Sequence, residues 1–266
     1  MARLPVLPRL PGMITQHPTP ELAAGTPPGR LARLAGAFYL LNIVGGAFAI
    51  GVVPALLVVP GDPAATAHNV LAHEPLYRLA LVVHVVILVI NVPLAAVFYD
   101  LFKVVERRLA LLVAFFTLVG TAVEAAGLLS QFAPLLLLGG GPYASALPDA
   151  QRQALAYLPG DLSSIGYSID TVFFGSYALC LAYLILSSRF LPRAIGALMG
   201  LDCLAYLAFS FANMLAPGFA AHLVPWILLP ALLGEGSLCL WLLLGRLDVG
   251  RWQQRASSYS FPRAVF

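Results

Sequence analysis

Charge is the property this sequence lacks most. Only 10% of its 266 residues are Asp, Glu, Lys or Arg, against roughly 25% in a soluble domain. So few charges cannot cover a surface that faces water, which excludes an ordinary soluble enzyme or carrier. The formal net charge of +3 gives no support to nucleic-acid binding, which depends on neutralising phosphates. Cysteine is scarce too. Cys180, Cys203 and Cys239 all lie in apolar runs, no Cys-x-x-Cys occurs and the number is odd. They read as small apolar packing residues, and neither a disulfide framework nor a metal–thiolate site is expected. A P-loop, Gly-x-Gly-x-x-Gly, Gly-x-Ser-x-Gly, His-Glu-x-x-His and an Asp-rich diphosphate motif are all missing. The last absence counts against an ordinary membrane prenyltransferase.

What the chain has is apolar length. It is 60% hydrophobic, with mean hydropathy +0.88. Residues 1–29 hold seven prolines and no apolar run of signal-peptide length, and they read as a disordered tail. Six apolar segments follow, at about 31–58, 77–102, 109–138, 166–187, 191–215 and 223–245. Each is long enough to cross a hydrocarbon core about 30 Å thick at 1.5 Å per residue. The expected fold is an all-α integral membrane bundle of six transmembrane helices over residues 30–246, with a C-terminal tail at 247–266. The connections at 103–108 and 186–192 are short enough to be tight helical hairpins. Pro134 is expected to kink or end the third segment. Residues 139–165 read as the longest loop, with a short interfacial helix near Asp149-Ala150-Gln151-Arg152-Gln153.

Orientation follows from the basic residues. Alternating the segments puts 13 of the 15 Lys and Arg on one side, leaving only Arg78 and Arg152 on the other. The positive-inside rule then places both termini in the cytoplasm and the protein in the cell membrane. An odd number of spans would break this alternation.

Four carboxylates fall inside the apolar segments: Glu124, Asp170, Asp202 and Glu235. Each costs about 2.5–3.5 kcal/mol near mid-span on insertion scales, so each is expected to face the bundle interior. Helical spacing arranges the polar residues in stripes. Tyr77, His84 and Asn91 share one face, as do Thr117, Thr121, Glu124 and Gln131. Ser163, Asp170 and Tyr177 form another stripe, and Asp202, Tyr206 and Asn213 a fourth. Asn42 sits beside Gly45 and Gly46, and Glu235 between Gly234 and Gly236. Counting from the cytoplasmic ends, Asn42, Asn91, Asp202 and Glu235 lie about 15–18 Å deep, and His84, Glu124 and Asp170 about 24–27 Å. The pattern predicts two polar tiers and a cavity opening outward, beneath an external loop bearing His68, His73, Glu74 and Arg78. Asn42 and Asn91 read as interhelical hydrogen-bonding residues, and His84 as the partner of a carboxylate. The spacing of five between His68 and His73 suits no single helical face, so no metal is expected, and nothing calls for a cofactor.

Several short stretches together resemble a known family. They are Gly61-Asp62-Pro63 leading to Ala72-His73-Glu74-Pro75-Leu76-Tyr77-Arg78, and Val123-Glu124-Ala125. Gly166-Tyr167-Ser168-Ile169 with Phe173-Phe174-Gly175, Phe190-Leu191-Pro192-Arg193, and Gly234-Glu235 with Leu240-Trp241-Leu242 complete the set. On these the chain resembles the bacterial multi-pass membrane family known as domain of unknown function 4386, over about residues 30–245. The resemblance implies the fold and topology and points at His73, Glu74, Glu124 and Glu235, but it implies no reaction. Three function classes stay open. The foremost is a non-enzymatic accessory or sensor protein. The others are a small-solute or proton-linked transporter, and an intramembrane enzyme using Glu124 or Glu235 as general acid on a lipid or isoprenoid. The expected partners are the bilayer and a lipid or small-molecule ligand.

Overall fold

The computed structural model describes residues 26–142, 146–223 and 226–260. The N-terminal tail, through residue 25, lies outside the described residues. All regular secondary structure among the described residues is helical, as an apolar solvent demands: a helix satisfies its own backbone hydrogen bonds, whereas an open strand edge cannot.

The first segment is a continuous helix, α1 (Pro28–Leu57), with a π-helical stretch at Ala47–Val52. Pro54 follows two residues after its end. Its ring has no N–H and crowds the carbonyl four residues back, and the wider π turn accommodates that clash. A short surface helix, α2 (Pro63–Ala72), comes next, capped by the Asp62 carboxylate accepting from the Ala65 N–H at 2.9 Å. Helix α3 (Glu74–Phe102) runs back through Pro93. The expected hairpin at 103–108 is present, and Glu106 caps α4 (Arg107–Ser130) through the N–H groups of Arg108 and Leu109. The third segment breaks at Gln131–Phe132 and resumes as α5 (Ala133–Leu138), with Pro134 in its first turn.

One expectation is corrected at this point. Residues 149–165 are not loop plus interfacial helix: they form the first part of a single 40-residue helix, α6 (Asp149–Ser188). At 1.5 Å per residue it is ~60 Å long, about twice a hydrocarbon core. Pro159 sits inside it and is buried. Packing of this half of α6 against α2 and α5, with the Tyr157 hydroxyl accepting from the Gly61 N–H at 3.1 Å, outweighs the roughly 3 kcal/mol a mid-helix proline costs.

Helix α7 (Arg193–Leu215) follows the second hairpin, and α8 (Pro217–Leu223) is a short connector. The sixth apolar segment is shorter than the expected span. It comprises a 3₁₀ turn at Trp226–Leu228 and α9 (Leu229–Leu243), 15 residues long. Turn and helix together reach ~28 Å. Among the described residues five helices are long and apolar enough to cross a membrane, and α9 is a shorter apolar sixth. A final helix, α10 (Val249–Ser260), lies within the segment read as a tail.

The six apolar helices close into a ring in chain order: α1 packs on α3, α3 on α4, α4 on α6, α6 on α7, α7 on α9, and α9 back on α1. The ring closes tightly because Gly36 presents bare backbone to α9. A Cβ there would lie 2.4 Å from the Leu243 nitrogen. Inside the arginine-rich end the ring is filled solid. Tyr39, Phe98 and Tyr177 meet edge to face or tilted at centroid separations of 5.9 and 6.3 Å, above fully buried Leu101, Leu181, Met199, Leu238 and Leu242. Helix α10 closes this end from below. The Trp252 indole N–H donates to the Leu101 carbonyl at 2.9 Å, and Arg251 and Arg255 donate to the carbonyls of Arg189 and Ser187. Cations there also suit the negative C-terminal ends of α3 and α6. On the outside, exposed Val44, Val82, Val89, Phe115, Leu129, Leu204 and Leu240 form the apolar surface that lipid requires.

Candidate functional site

Helices α3 and α4 run antiparallel, so a seven-residue step along one answers a seven-residue step back along the other. Tyr77 and His84 on α3 therefore meet Gln131 and Glu124 on α4. The Tyr77 hydroxyl donates to the Gln131 carbonyl at 2.7 Å, an acceptor in the broken turn before α5. His84 Nε2 lies 2.8 Å from Glu124 Oε1, with side-chain exposures of 7% and 11%. One proton occupies that contact: either the imidazole N–H donates to a carboxylate, or a carboxylic acid donates to the imidazole. Two turns deeper on α3 and one on α4, the Asn91 amide donates to Thr121 Oγ1 at 3.0 Å and accepts from the Asn42 amide at 2.5 Å, tying α1, α3 and α4 together. The expectations that His84 partners a carboxylate and that the two asparagines bond between helices agree with this geometry.

Above the His84–Glu124 pair the ring is not filled. A cavity of about 410 Å³ extends upward, walled by Ala49, Val53 and Leu57 of α1, Ala80 of α3, Gly127 of α4 and Ala156, Gly160 and Tyr167 of α6. Its polar lining residues include His84, Glu124, Gln131, Asp161 and Ser163, with Tyr77 and Tyr157. Its described lining contains neither Lys nor Arg and draws nothing from α7 or α9. The halves of α1 and α6 that line it make few contacts with each other. Ile50 and Val58 on one wall and Gly160, Asp161 and Ser164 on the other are exposed, so the cavity is open between α1 and α6.

The second tier lies nearer the arginine-rich end. Asp202 on α7 is fully buried, and neither carboxyl oxygen has a hydrogen-bond partner. Glu235 on α9 accepts from the Tyr206 hydroxyl at 3.2 Å. Asp170 lies within electrostatic reach of Glu124, and its Oδ1 has no hydrogen-bond partner. It is buried against the bare backbone of Gly120, where an added Cβ would fall 2.7 Å from its Oδ1. Ser168 and Thr171 on the same helix bond to Asn213 and Ser210 of α7, both at 2.6 Å.

The external-loop candidates lie elsewhere. His73 joins α2 to α3 and its ring bonds the Asn69 carbonyl at 3.1 Å, while Glu74 and Arg78 form a surface ion pair at 2.7 Å. None of the three lines the cavity. Among the described residues no three His, Cys, Asp or Glu converge as a metal would need. Sequence reasoning missed Tyr157, Gly160 and Asp161, because it read their segment as loop. It also passed over Tyr39, an isolated hydroxyl on an apolar helix.

A ring of apolar helices enclosing an acid-lined cavity defines a multi-pass α-helical membrane protein. The profile of the family described as "Domain of unknown function (DUF4386)" matches residues 34–245, and the chain belongs to that family. No curated protein and no solved structure matches it.

Proposed function

We propose that this protein is a non-enzymatic membrane receptor or accessory protein that holds a small amphiphile in the α1/α6 cavity. The observation that carries the reading is the lateral mouth leading to a polar floor. An apolar tail would lie along Ala49, Val53 and Leu57, and a polar head would meet His84 and Glu124. A volume of about 410 Å³ suits a small ligand or the end of a larger one. With Glu124 and Asp161 in the lining and no Lys or Arg, the cavity disfavours a phosphate head and favours an alcohol, amide or amine. The arginine distribution supports a cell-membrane topology with both termini in the cytoplasm, and with that topology the mouth would face the outer leaflet.

The test is lipid-resolved native mass spectrometry of the protein purified from its membrane, beside Gly127→Trp. Nothing lies within 4 Å of a Cβ at Gly127, so an indole there fills the cavity with little disturbance of the helices. The expected result is a neutral or cationic amphiphile on the wild type and none on the variant. Equal lipid occupancy on both, or a phospholipid alone, would overturn the reading. The His84–Glu124 pair favours one alternative, an intramembrane enzyme in which it moves a proton. Chemical conversion of the isolated amphiphile on incubation, lost in Glu124→Gln, would select that reading instead.

A further inference from the structure

We propose that Asp202 and Glu235 form a proton-binding site, separate from the cavity, in which the two carboxyl groups hold one proton between them inside a wall of tyrosine hydroxyls. The two residues sit on α7 and α9, which pack closely because Gly234 has no side chain. A Cβ at Gly234 would lie 3.0 Å from the Leu198 carbonyl and 3.3 Å from the Asp202 Cβ. Asp202 is 0% exposed, and both its oxygens lack a donor.

A second unpartnered group points to the same place from another helix. The Tyr39 hydroxyl of α1 is buried without a hydrogen-bond partner and lies within electrostatic reach of both carboxyls. Tyr177 and Tyr167 of α6, Tyr206 and Cys203 of α7, and Cys239 of α9 complete the titratable surroundings. Among the described residues no Lys, Arg or His forms an ion pair with either carboxyl. Two adjacent carboxylates in such a place would carry two uncompensated charges, each with a desolvation penalty of several kcal/mol. A proton is the smallest cation that removes one charge, and it also turns an orphaned acceptor into a donor. The phenols can then bond what remains. This argument does not depend on the cavity holding a ligand.

Infrared spectroscopy of the full chain in lipid nanodiscs, across pH, tests the site. An E124Q/D170N background removes the other two mid-span carboxyls, and circular dichroism confirms folding. In that background a carboxylic-acid C=O band is expected to titrate in two steps, as a coupled pair does. Adding D202N or E235Q should reduce it to one step, and Y39F should shift the band without abolishing it. If E235Q does not fold, the isosteric D202N decides. Three results would overturn the proposal. One is a background with no protonated carboxyl at any pH where the protein is folded. Another is a band that neither D202N nor E235Q changes. The third is sodium at constant pH raising the Tm of the wild type but not of D202N, which would make the site one for a metal cation.

Discussion

Glu124 Oε1 stands 2.8 Å from His84 Nε2 at the base of a cavity whose described lining has no basic side chain beyond that histidine. The contact fixes the orientation of the imidazole ring at the cavity floor. Removing the carboxyl leaves a buried imidazole nitrogen unsatisfied, at about 1–3 kcal/mol. Glu124→Ala is expected to lower the midpoint of thermal unfolding in detergent clearly. Glu124→Gln, which keeps an acceptor oxygen, should lower it by less than half as much. Equal losses would mean that the contact contributes nothing beyond packing volume.

The Asn42–Asn91–Thr121 chain predicts non-additivity. Asn91→Ala strands the Asn42 amide and the Thr121 hydroxyl together, so Asn42→Ala made in the Asn91→Ala background should cost little more. A double-mutant cycle is expected to give a coupling energy of about 0.6–2 kcal/mol, the range for polar contacts between membrane helices. Strict additivity would show that the two amides do not bond.

Gly36 and Gly46 lie ten residues apart on α1 and predict opposite outcomes. A methyl at Gly36 meets Leu243 backbone at 2.4 Å, which cannot yield without parting α1 from α9, whereas Gly46 has nothing within 4 Å. Gly36→Ala is expected to destabilise by about 1–3 kcal/mol, as overpacked cores do. Gly46→Ala should be neutral or slightly stabilising, since alanine is the better helix former. Denaturant-dependent unfolding of the two variants reads the difference.

The basic-side assignment predicts where a reagent reaches. In a variant with Cys180, Cys203 and Cys239 changed to serine, a cysteine at Gln151 should react with a membrane-impermeant thiol reagent on intact cells. One at Ser257 should react only in inside-out vesicles. Both labelling from the same side would refute the six-pass topology. In the same cysteine-free protein, Glu124→Cys should label from outside through the lateral mouth, and Glu235→Cys from neither side.

How much of this was visible beforehand differs between the elements. The stripes Tyr77–His84–Asn91 and Thr117–Thr121–Glu124–Gln131 were legible because a helix in lipid must turn its polar groups inward. Periodicity then names the face. That the two stripes meet in antiparallel register also follows from a hairpin too short to allow any other arrangement. The path of residues 149–165 was not legible. Pro159-Gly160 carries a breaker signal, and only contact with α2 and α5 overrides it. Losing that helix hid one wall of the cavity, and with it Tyr157 and Asp161.

By itself, then, the amino-acid sequence determined the solvent, the helical class and the inward polar faces. Each of these depends on local composition and on the cost of exposing charge or backbone to hydrocarbon. Which carboxylate gained a partner was decided by tertiary structure alone. Glu124 meets His84, Glu235 meets Tyr206, and Asp202 meets no donor at all. So was the emptiness above His84, since a cavity is a failure of distant helices to meet, and no local pattern encodes that. The closed end of the ring is full because Gly36 and Gly234 let backbones touch. The other end is open because α1 and α6 line a space that the short α9 does not reach into.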